Sequence, residues 1–334
     1  MTRGVALSLL ALSVPAAAIA SLFVGATPLD AHQVLRALAR PEAPDTVTTI
    51  VWQLRLPRIS VAATVGACLA LGGAMLQGML RNPLVDPYLT GVSAAAAAAV
   101  AVATVAGVSV AATPAVGFVA GLAAALVVAA LARRGGGIDP QRLILAGVSL
   151  SMLFAAIVTL VLIRAQSTGA AGTIVAWLAG SMAGRSWRDL AVTAPYAVLG
   201  TALALSTAPA LDAMRIGESR ARAVGVNVHR AQWLILAASS LLAASSVVLA
   251  GLVGFIGLLV PHIARRLTGT EARMLFPACA AIGAVLCMVA DAVCRRIVAP
   301  AELPIGVLLA LIGAPAFLYL YLHPSGRPGL AAER

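Results

Sequence analysis

The side chains that could carry out chemistry are few, and their spacing forms no catalytic set. His262 follows a proline near the end of an apolar stretch, and His229 lies in a polar segment, each without a carboxylate at a useful spacing. Cys279, Cys287 and Cys294 share one helical face inside an apolar stretch. Metal binding is one interpretation of the cysteines, but no histidine accompanies them, so ordinary packing is favoured. We expect no catalytic residue and no metal site.

The chain has no lysine, because all 23 of its Lys and Arg residues are arginines. A P-loop needs a lysine to reach the nucleotide phosphates, and Schiff-base chemistry needs a lysine amine. Both are therefore excluded. If the work of this protein consumes ATP, another chain must bind the nucleotide.

Composition indicates an integral membrane protein made of helices. Of 334 residues, 61% are hydrophobic and 10% are charged, with a mean hydropathy of +0.99, whereas soluble proteins carry about 25% charged residues. The apolar runs are continuous, which excludes the alternating pattern of a β-barrel. A span needs roughly 20 apolar residues, and the sequence predicts ten, near 5–25, 59–80, 92–111, 114–132, 141–163, 190–208, 232–251, 253–265, 275–294 and 305–322. The fold class is therefore all-α and polytopic, and the piece 172–183 is too short to span.

The net charge of +11 does not indicate nucleic-acid binding, because the arginines fall between apolar spans without interleaved aromatics. Residues 1–26 resemble a signal peptide, but their apolar run exceeds the roughly 7–15 residues of a signal core, which favours a retained span. With ten spans and the N-terminus inside, the inner segments hold fourteen arginines and the outer segments nine. The positive-inside rule therefore predicts that both termini are cytoplasmic.

One polar, arginine-rich segment, residues 212–230, separates two apolar spans and would face the cytoplasm. Gly217 and Gly225 break it into short helical pieces, and Glu218 would lie in a first turn, where an acid suits the helix dipole. Arg220 and Arg222 could pair with acids on a partner. The alternative is a basic loop that only obeys the positive-inside rule, but such a loop needs neither the glycines nor the acid.

Several motifs occur in a fixed order between residues 45 and 322. They are RLPR at 55–58, QGMLRNPLVDP at 77–87, GVS at 91–93, LAGV at 145–148, GExxAxxVGV at 217–226, GFIGLLVPHIAR at 254–265, ELPIGV at 302–307 and GAPAF at 313–317. Each is weak alone, but together they are specific. The chain resembles the membrane permease subunit of type II ABC importers, which carry ferric siderophores, haem and cobalamin.

The resemblance implies a single permease domain over 1–334, a homodimer in the bacterial inner membrane, surrounded by lipid. It also implies two cytoplasmic ATPase subunits, which would bind ATP and Mg, and one periplasmic binding protein. No cofactor is expected on this chain. The cargo would be an iron chelate, with haem ahead of a ferric siderophore. Cobalamin is the alternative, and an ion-coupled secondary transporter is disfavoured by the scarcity of buried acids.

The resemblance also implies three sets of site residues. ATPase coupling falls on the 212–230 segment, at Arg215, Gly217, Glu218, Arg220, Ala221, Arg222, Gly225 and Val226. Docking of the binding protein falls on Arg55, Arg58 and Arg295, for which lipid-headgroup anchoring is the alternative. A cytoplasmic gate falls on Asn82, Leu84, Gln141 and Arg142, although Asn82 before Pro83 would end a helix in any case.

Asp291 is an acid near the end of an apolar span, where a charge is costly. Arg295 lies four residues later, in the favourable acid-before-base order. The spacing predicts a local ion pair at the outer surface rather than part of a proton relay.

Overall fold

The computed structural model describes residues 3–25, 27–109, 111–135, 137–166, 169–299 and 301–323, and this part of the chain is almost entirely helical. Its α-helices are α1 (Arg3–Phe23), α2 (Ala31–Ala39), α3 (Thr46–Thr49), α4 (Leu56–Leu80), α5 (Val92–Val105), α6 (Thr113–Leu131), α7 (Pro140–Ala165), α8 (Ala171–Leu178), α9 (Trp187–Arg215), α10 (Glu218–Ala223), α11 (Val228–Ala250), α12 (Ile256–Thr268), α13 (Ala272–Ile297) and α14 (Ile305–Leu322).

Four short elements, two helical turns and two strands, are the remaining regular structure in the described chain. A π-helical stretch, Ile50–Arg55, leads into α4, and a 3₁₀ turn, Pro87–Thr90, leads into α5. Strands β1 (Arg133–Arg134) and β2 (Gly137–Ile138) pair antiparallel, with Arg133 opposite Ile138. This small hairpin joins α6 to α7 and was not predicted.

Seven helical segments in the described residues are long and apolar enough to cross a membrane. They are Gly4–Phe23, Thr46–Leu80, Thr113–Leu131, Pro140–Ala165, Trp187–Arg215, Val228–Ala250 and Ala272–Ile297. The other three predicted spans fall on α5, α12 and α14, which are shorter apolar helices or, for α12, only 13 residues long. An all-helical polytopic membrane protein is therefore confirmed, whereas the count of ten crossings stays a prediction. The predicted span 92–111 was too long, because α5 ends at Val105 and Gly107 turns the chain with φ +75°.

Helices α4, α11 and α13 form the centre of the bundle. Of the 18 most apolar consecutive residues, 78% are buried in the segment Thr46–Leu80, which contains α4, and 72% in α11, against 11% in α7. Gly66 of α4 and Gly283 of α13 let these two helices touch, since a Cβ on either glycine would overlap the backbone carbonyl of the other. Small residues at such crossings allow the close backbone approach that membrane bundles use.

The outer helices leave large apolar side chains uncovered. On α7, Leu145, Met152 and Leu160 are largely exposed, and α9 and α14 show the same pattern. So much contiguous apolar surface is not tolerated in water. It requires lipid or another protein surface around the bundle.

Candidate functional site

The polar segment 212–230 folds as the sequence predicts, into a short helix bounded by two glycines. Gly217 precedes α10 with φ +120°, and Gly225 follows it with φ +85°. Residues that carry a Cβ rarely adopt these backbone conformations. Ala221 is fully buried and turns α10 onto the bundle, and its carbonyl accepts a hydrogen bond from the Val226 amide. The segment is therefore a defined surface feature rather than a loose loop.

The charged side chains of this segment divide between the bundle and the surface. Arg220 is exposed, and Arg222 bonds to Glu218 over 3.4 Å at the surface. Glu218 also accepts a hydrogen bond of 3.2 Å from Gln232 Nε2, on α11. Arg215, at the end of α9, donates to the Thr270 carbonyl and lies 3.8 Å from Asp212.

A cluster of guanidinium groups lies around the start of α4 and the end of α13. Arg58 donates to Asp291 through Nε and Nη2 at 2.9–3.1 Å, and to Glu302 through Nη1 at 2.9 Å. Arg295 Nε lies 3.2 Å from Asp291 Oδ2. The ion pair predicted between Asp291 and Arg295 is therefore confirmed. Its predicted setting was wrong, because the side chains of Asp291 and Arg295 are only 2% and 5% exposed and Arg58 shares the carboxylate.

The arginine cluster also donates to backbone carbonyls near the end of α1. Arg55 donates to the carbonyls of Leu22 and Thr27, and Arg295 donates to that of Val24 at 2.6 Å. Burial and these contacts leave little of Arg55 or Arg295 exposed.

Beside the cluster lies an open cavity of about 280 Å³, lined by Arg55, Arg58, Arg185, Arg295 and Glu302 together with smaller residues. Arg185 precedes α9, and burial lowers its pKa, an effect that Asp189 opposes. Within the described residues, the buried Arg185 Nε and Arg295 Nη2 have no hydrogen-bond acceptor. The lining carries four guanidinium groups and one carboxylate, so the cavity is suited to an anion.

The predicted gate residues lie on two neighbouring elements. Asn82 follows α4, which ends at Leu80. Its Oδ1 accepts a hydrogen bond of 2.9 Å from the Leu84 amide. The side chain of Leu84 is half exposed. Gln141 and Arg142 form the first turn of α7, where their amides donate to Asp139. These hydrogen bonds, with Arg142 first, lower the pKa of Asp139.

The connection from α4 to α5 contacts α7 at Leu89. Gly147 of α7 packs so closely against the Leu89 carbonyl that a Cβ at this glycine would overlap it. Gln77, on α4, also bonds to the connection between α4 and α5. Its amide donates to the carbonyls of Val85 and Gly257 at 3.1 and 3.0 Å, and it accepts from Arg265 at 2.7 Å. Sequence reasoning assigned Gln77 no role, although a glutamine deep in an apolar helix signals a specific partner.

The charged clusters lie at opposite ends of α4. Arg58 is at its start, whereas Arg81, just after its end, donates to the Met214 carbonyl beside α10 at 2.7 Å. The 25 residues of α4 span about 37 Å at 1.5 Å each. The predicted gate residues lie at the α10 end. The site residues therefore form two surfaces separated by the thickness of a bilayer.

The described residues contain no catalytic or metal-binding constellation. No group of three or more His, Cys, Asp or Glu side chains among them could hold a metal ion, and all four cysteines are buried and free. His262 Nε2 and His229 Nδ1 are buried without a hydrogen-bond partner in this part of the chain. The arrangement is an apolar helical bundle with a charged surface at each end, as in the permease subunits of membrane transporters.

Comparison with known proteins identifies the family within this class. Residues 12–323 match the FecCD transport family, and the chain belongs to it. It is a transport subunit rather than an enzyme, and a multi-pass inner-membrane protein.

The curated relatives are named for different transported compounds. The cobalamin import system permease protein of Halobacterium salinarum is 39% identical, over 83% of this chain and 74% of the relative. The Fe(3+) dicitrate transport system permease protein of Escherichia coli is 38% identical, over 82% and 85%. The hemin transport system permease protein of Yersinia pestis is 35% identical, over 86% and 87%. Among solved structures, an inward-facing metal-chelate type ABC transporter matches with a TM-score of 0.85 and 33% identity, covering 95% of this chain and 98% of that one.

Proposed function

We propose that this chain is the permease subunit of an ATP-driven importer that moves a metal chelate into the cytoplasm by alternating access. The observation that carries the proposal is the α10 segment, a short, charged helix at one end of an apolar bundle. The absence of lysine, and hence of a P-loop, supports two separate ATPase subunits that bind ATP and Mg. The exposed apolar faces of α7 and α14 support a homodimer with the path between its halves.

The α10 segment would dock the ATPase at the cytoplasmic face. Glu218, Arg220 and Arg222 offer charges of both signs, and the positive φ of Gly217 and Gly225 fixes the direction in which α10 enters and leaves. Glu218→Ala or Gly225→Ala should reduce import per ATP hydrolysed while the bundle stays folded. Thr201→Ala, within α9 and away from this surface, is a matched control. Normal import by both α10 variants would contradict the coupling assignment.

The arginine cluster would receive the binding protein at the periplasmic face. The four guanidinium groups that line its cavity support contact with carboxylates of that partner, and such contacts would orient the partner more than they add affinity. Arg55, Arg58 and Arg295 are already bonded within the chain, so docking would exchange some of these contacts. Arg58→Ala should weaken binding of the partner and reduce the salt dependence of its association rate.

The gate would lie at the α10 end, formed by Asn82 and Leu84 with Gln141 and Arg142. Its support is the packing of Gly147 against Leu89, which makes the two gate-bearing elements move together. Cysteines placed at 84 and 142 should cross-link in one nucleotide state of the complex and not in the other. Equal cross-linking in both states would argue against a gate.

The cargo is proposed to be an iron chelate, with haem ahead of a ferric siderophore. The hemin permease relative supports it. Cobalamin is the second candidate, because the relative from Halobacterium salinarum at 39% identity is named for it. Proteoliposomes holding the permease, its ATPase and its binding protein should be offered haem, ferric siderophores and cobalamin in turn. ATP-dependent accumulation of one of them identifies the cargo, and import by the permease alone under an ion gradient would refute the proposal.

A further inference from the structure

A single buried side chain connects the α10 segment to the hairpin that precedes α7. Gln232 lies in the second turn of α11 and is 4% exposed. Its Nε2 donates to Glu218 Oε1 at 3.2 Å, and its Oε1 accepts the Ile138 amide at 3.0 Å. The two ends of one amide group therefore touch the first residue of α10 and the last residue of β2.

The hairpin has little freedom to move independently of α11. A Cβ on Gly137 would overlap His229 and Gln232, so β2 lies directly on this helix. On the other strand, the guanidinium carbon of Arg133 lies 5.9 Å from the centre of the Trp233 ring, within cation–π range. Ile138 is buried.

The hairpin in turn sets the start of α7. Asp139 directly follows Ile138, and its amide donates to the Ala132 carbonyl at 2.9 Å. Its carboxylate caps α7 by accepting the amides of Gln141 and Arg142. A displacement of Ile138 would therefore move Asp139, the next residue, and with it the proposed gate residues Gln141 and Arg142 that Asp139 caps.

We propose that Gln232 is a positioning residue that transmits the movement of α10 to the start of α7 during transport. This inference rests on the proposed function, in which α10 moves with the ATPase and Gln141 and Arg142 belong to the gate. Glutamine suits the task because its amide offers a donor and an acceptor together. A carboxylate lacks the donor towards Glu218, and an apolar side chain lacks both groups.

Hydrogen exchange of the purified permease tests the connection without transport. Gln232→Met keeps size and helix propensity but removes both hydrogen bonds, so exchange of peptides covering 132–139 should rise about fivefold, as expected for one net hydrogen bond. Glu218→Ala should raise it about twofold in the wild-type background and not at all in the Gln232→Met background. Equal effects of Glu218→Ala in both backgrounds, or none in either, would overturn the proposal.

Gln232→Glu separates transmission from simple support of the hairpin. Its Oε atoms still accept the Ile138 amide, so the hairpin should keep near-wild-type exchange, but its charge repels Glu218. The positioning role predicts at least a fivefold drop in import per ATP hydrolysed by the full complex in proteoliposomes. A purely structural role predicts normal import. The control Ser239→Ala, also buried on α11 but bonded to the Gly72 carbonyl, should leave this ratio unchanged.

The two experiments also separate the failure of this inference from failure of the proposed function. If the wild-type complex shows no ATP-dependent import, the proposed function fails, and the exchange data still decide whether residues 218 and 138 are coupled. If import is normal and Gln232→Glu matches wild type, only the positioning role fails.

Discussion

Replacing Asp291 with asparagine should strongly destabilise the protein, because the aspartate neutralises two guanidinium groups in a buried place. Its carboxylate accepts three hydrogen bonds from Arg58 and lies 3.2 Å from Arg295 Nε. Arg58 would keep Glu302 as a counter-charge, at 2.9 Å. Arg295 would keep only backbone carbonyls, and its side chain is 5% exposed.

The magnitude follows from these contacts. An asparagine keeps one acceptor oxygen, so Asp291→Asn removes one or two charge-assisted hydrogen bonds, each contributing about 1.5–3 kcal/mol. Removal of one partner of a buried ion pair costs about 3–5 kcal/mol, because the remaining charge is uncompensated. The first route gives about 1.5–6 kcal/mol and the second about 3–5 kcal/mol, so we expect a loss of about 3–5 kcal/mol in the free energy of unfolding.

The assay is denaturant unfolding of the purified protein in detergent, followed by tryptophan fluorescence. Glu302→Gln is the matched control, since Glu302 is 38% exposed and exposed pairs contribute about 0–1 kcal/mol. Adding Arg295→Met to Asp291→Asn removes the orphaned charge and should restore at least about 2 kcal/mol. A loss below about 1 kcal/mol for Asp291→Asn alone, or no recovery in the double variant, would refute the reasoning.

Three further outcomes are expected from the α10 end of the bundle. Gly147→Ala should lower the free energy of unfolding by about 1–3 kcal/mol, because the added methyl group would overpack against the Leu89 carbonyl. In the same denaturant titration Gly172→Ala should have little effect, since a Cβ there meets nothing within 4 Å. Gln77→Leu should cost about 1–3 kcal/mol by leaving Arg265 and two carbonyls without their partner; a neutral result would show that water replaces the amide. The lowered pKa of Asp139 means that its capping contribution is complete above the ordinary carboxyl pKa of about 3.9 and is lost as the pH falls through the folded value. Asp139→Asn, an equally good cap, should therefore weaken the fall of Tm between pH 7 and pH 3, and an unchanged pH profile would contradict this.

The sequence predicted where helices lie better than where they end. Continuous apolar runs place a helix at each of the ten expected segments, because hydropathy averages over many residues. The ends depend on single backbone conformations. Gly107 turns the chain with φ +75°, so α5 ends at Val105 rather than at residue 111, where the predicted span ends.

The α10 segment was predictable because all its determinants are local. Glycines, a first-turn acid and basic residues within one short segment define a bounded helix, and the structure contains it. The contacts of Gln232 with Glu218 and Ile138 were not predictable, since they join residues 14 and 94 positions apart.

The arginine cluster shows the same limit more clearly. The resemblance assigns Arg55, Arg58 and Arg295 to one docking surface, and the structure brings these side chains together around one cavity. Their burial arises from the pairing of Arg58 with Asp291, 233 positions away, and of Arg55 with carbonyls near the end of α1. Neither pairing leaves a local pattern.

The contacts between the arginine cluster and the end of α1 bear on the maturation of the chain. The carbonyls of Leu22, Val24 and Thr27 accept hydrogen bonds from Arg55 and Arg295, and α1 packs along α13. A signal peptidase that cut near residue 26 would remove two of these three carbonyls, and Arg55 Nη1 and Arg295 Nη1 would lose the acceptors they have in the structure. The first helix is thus an internal component of the surface proposed to meet the binding protein. Its removal would alter that surface even though no proposed docking residue lies within it.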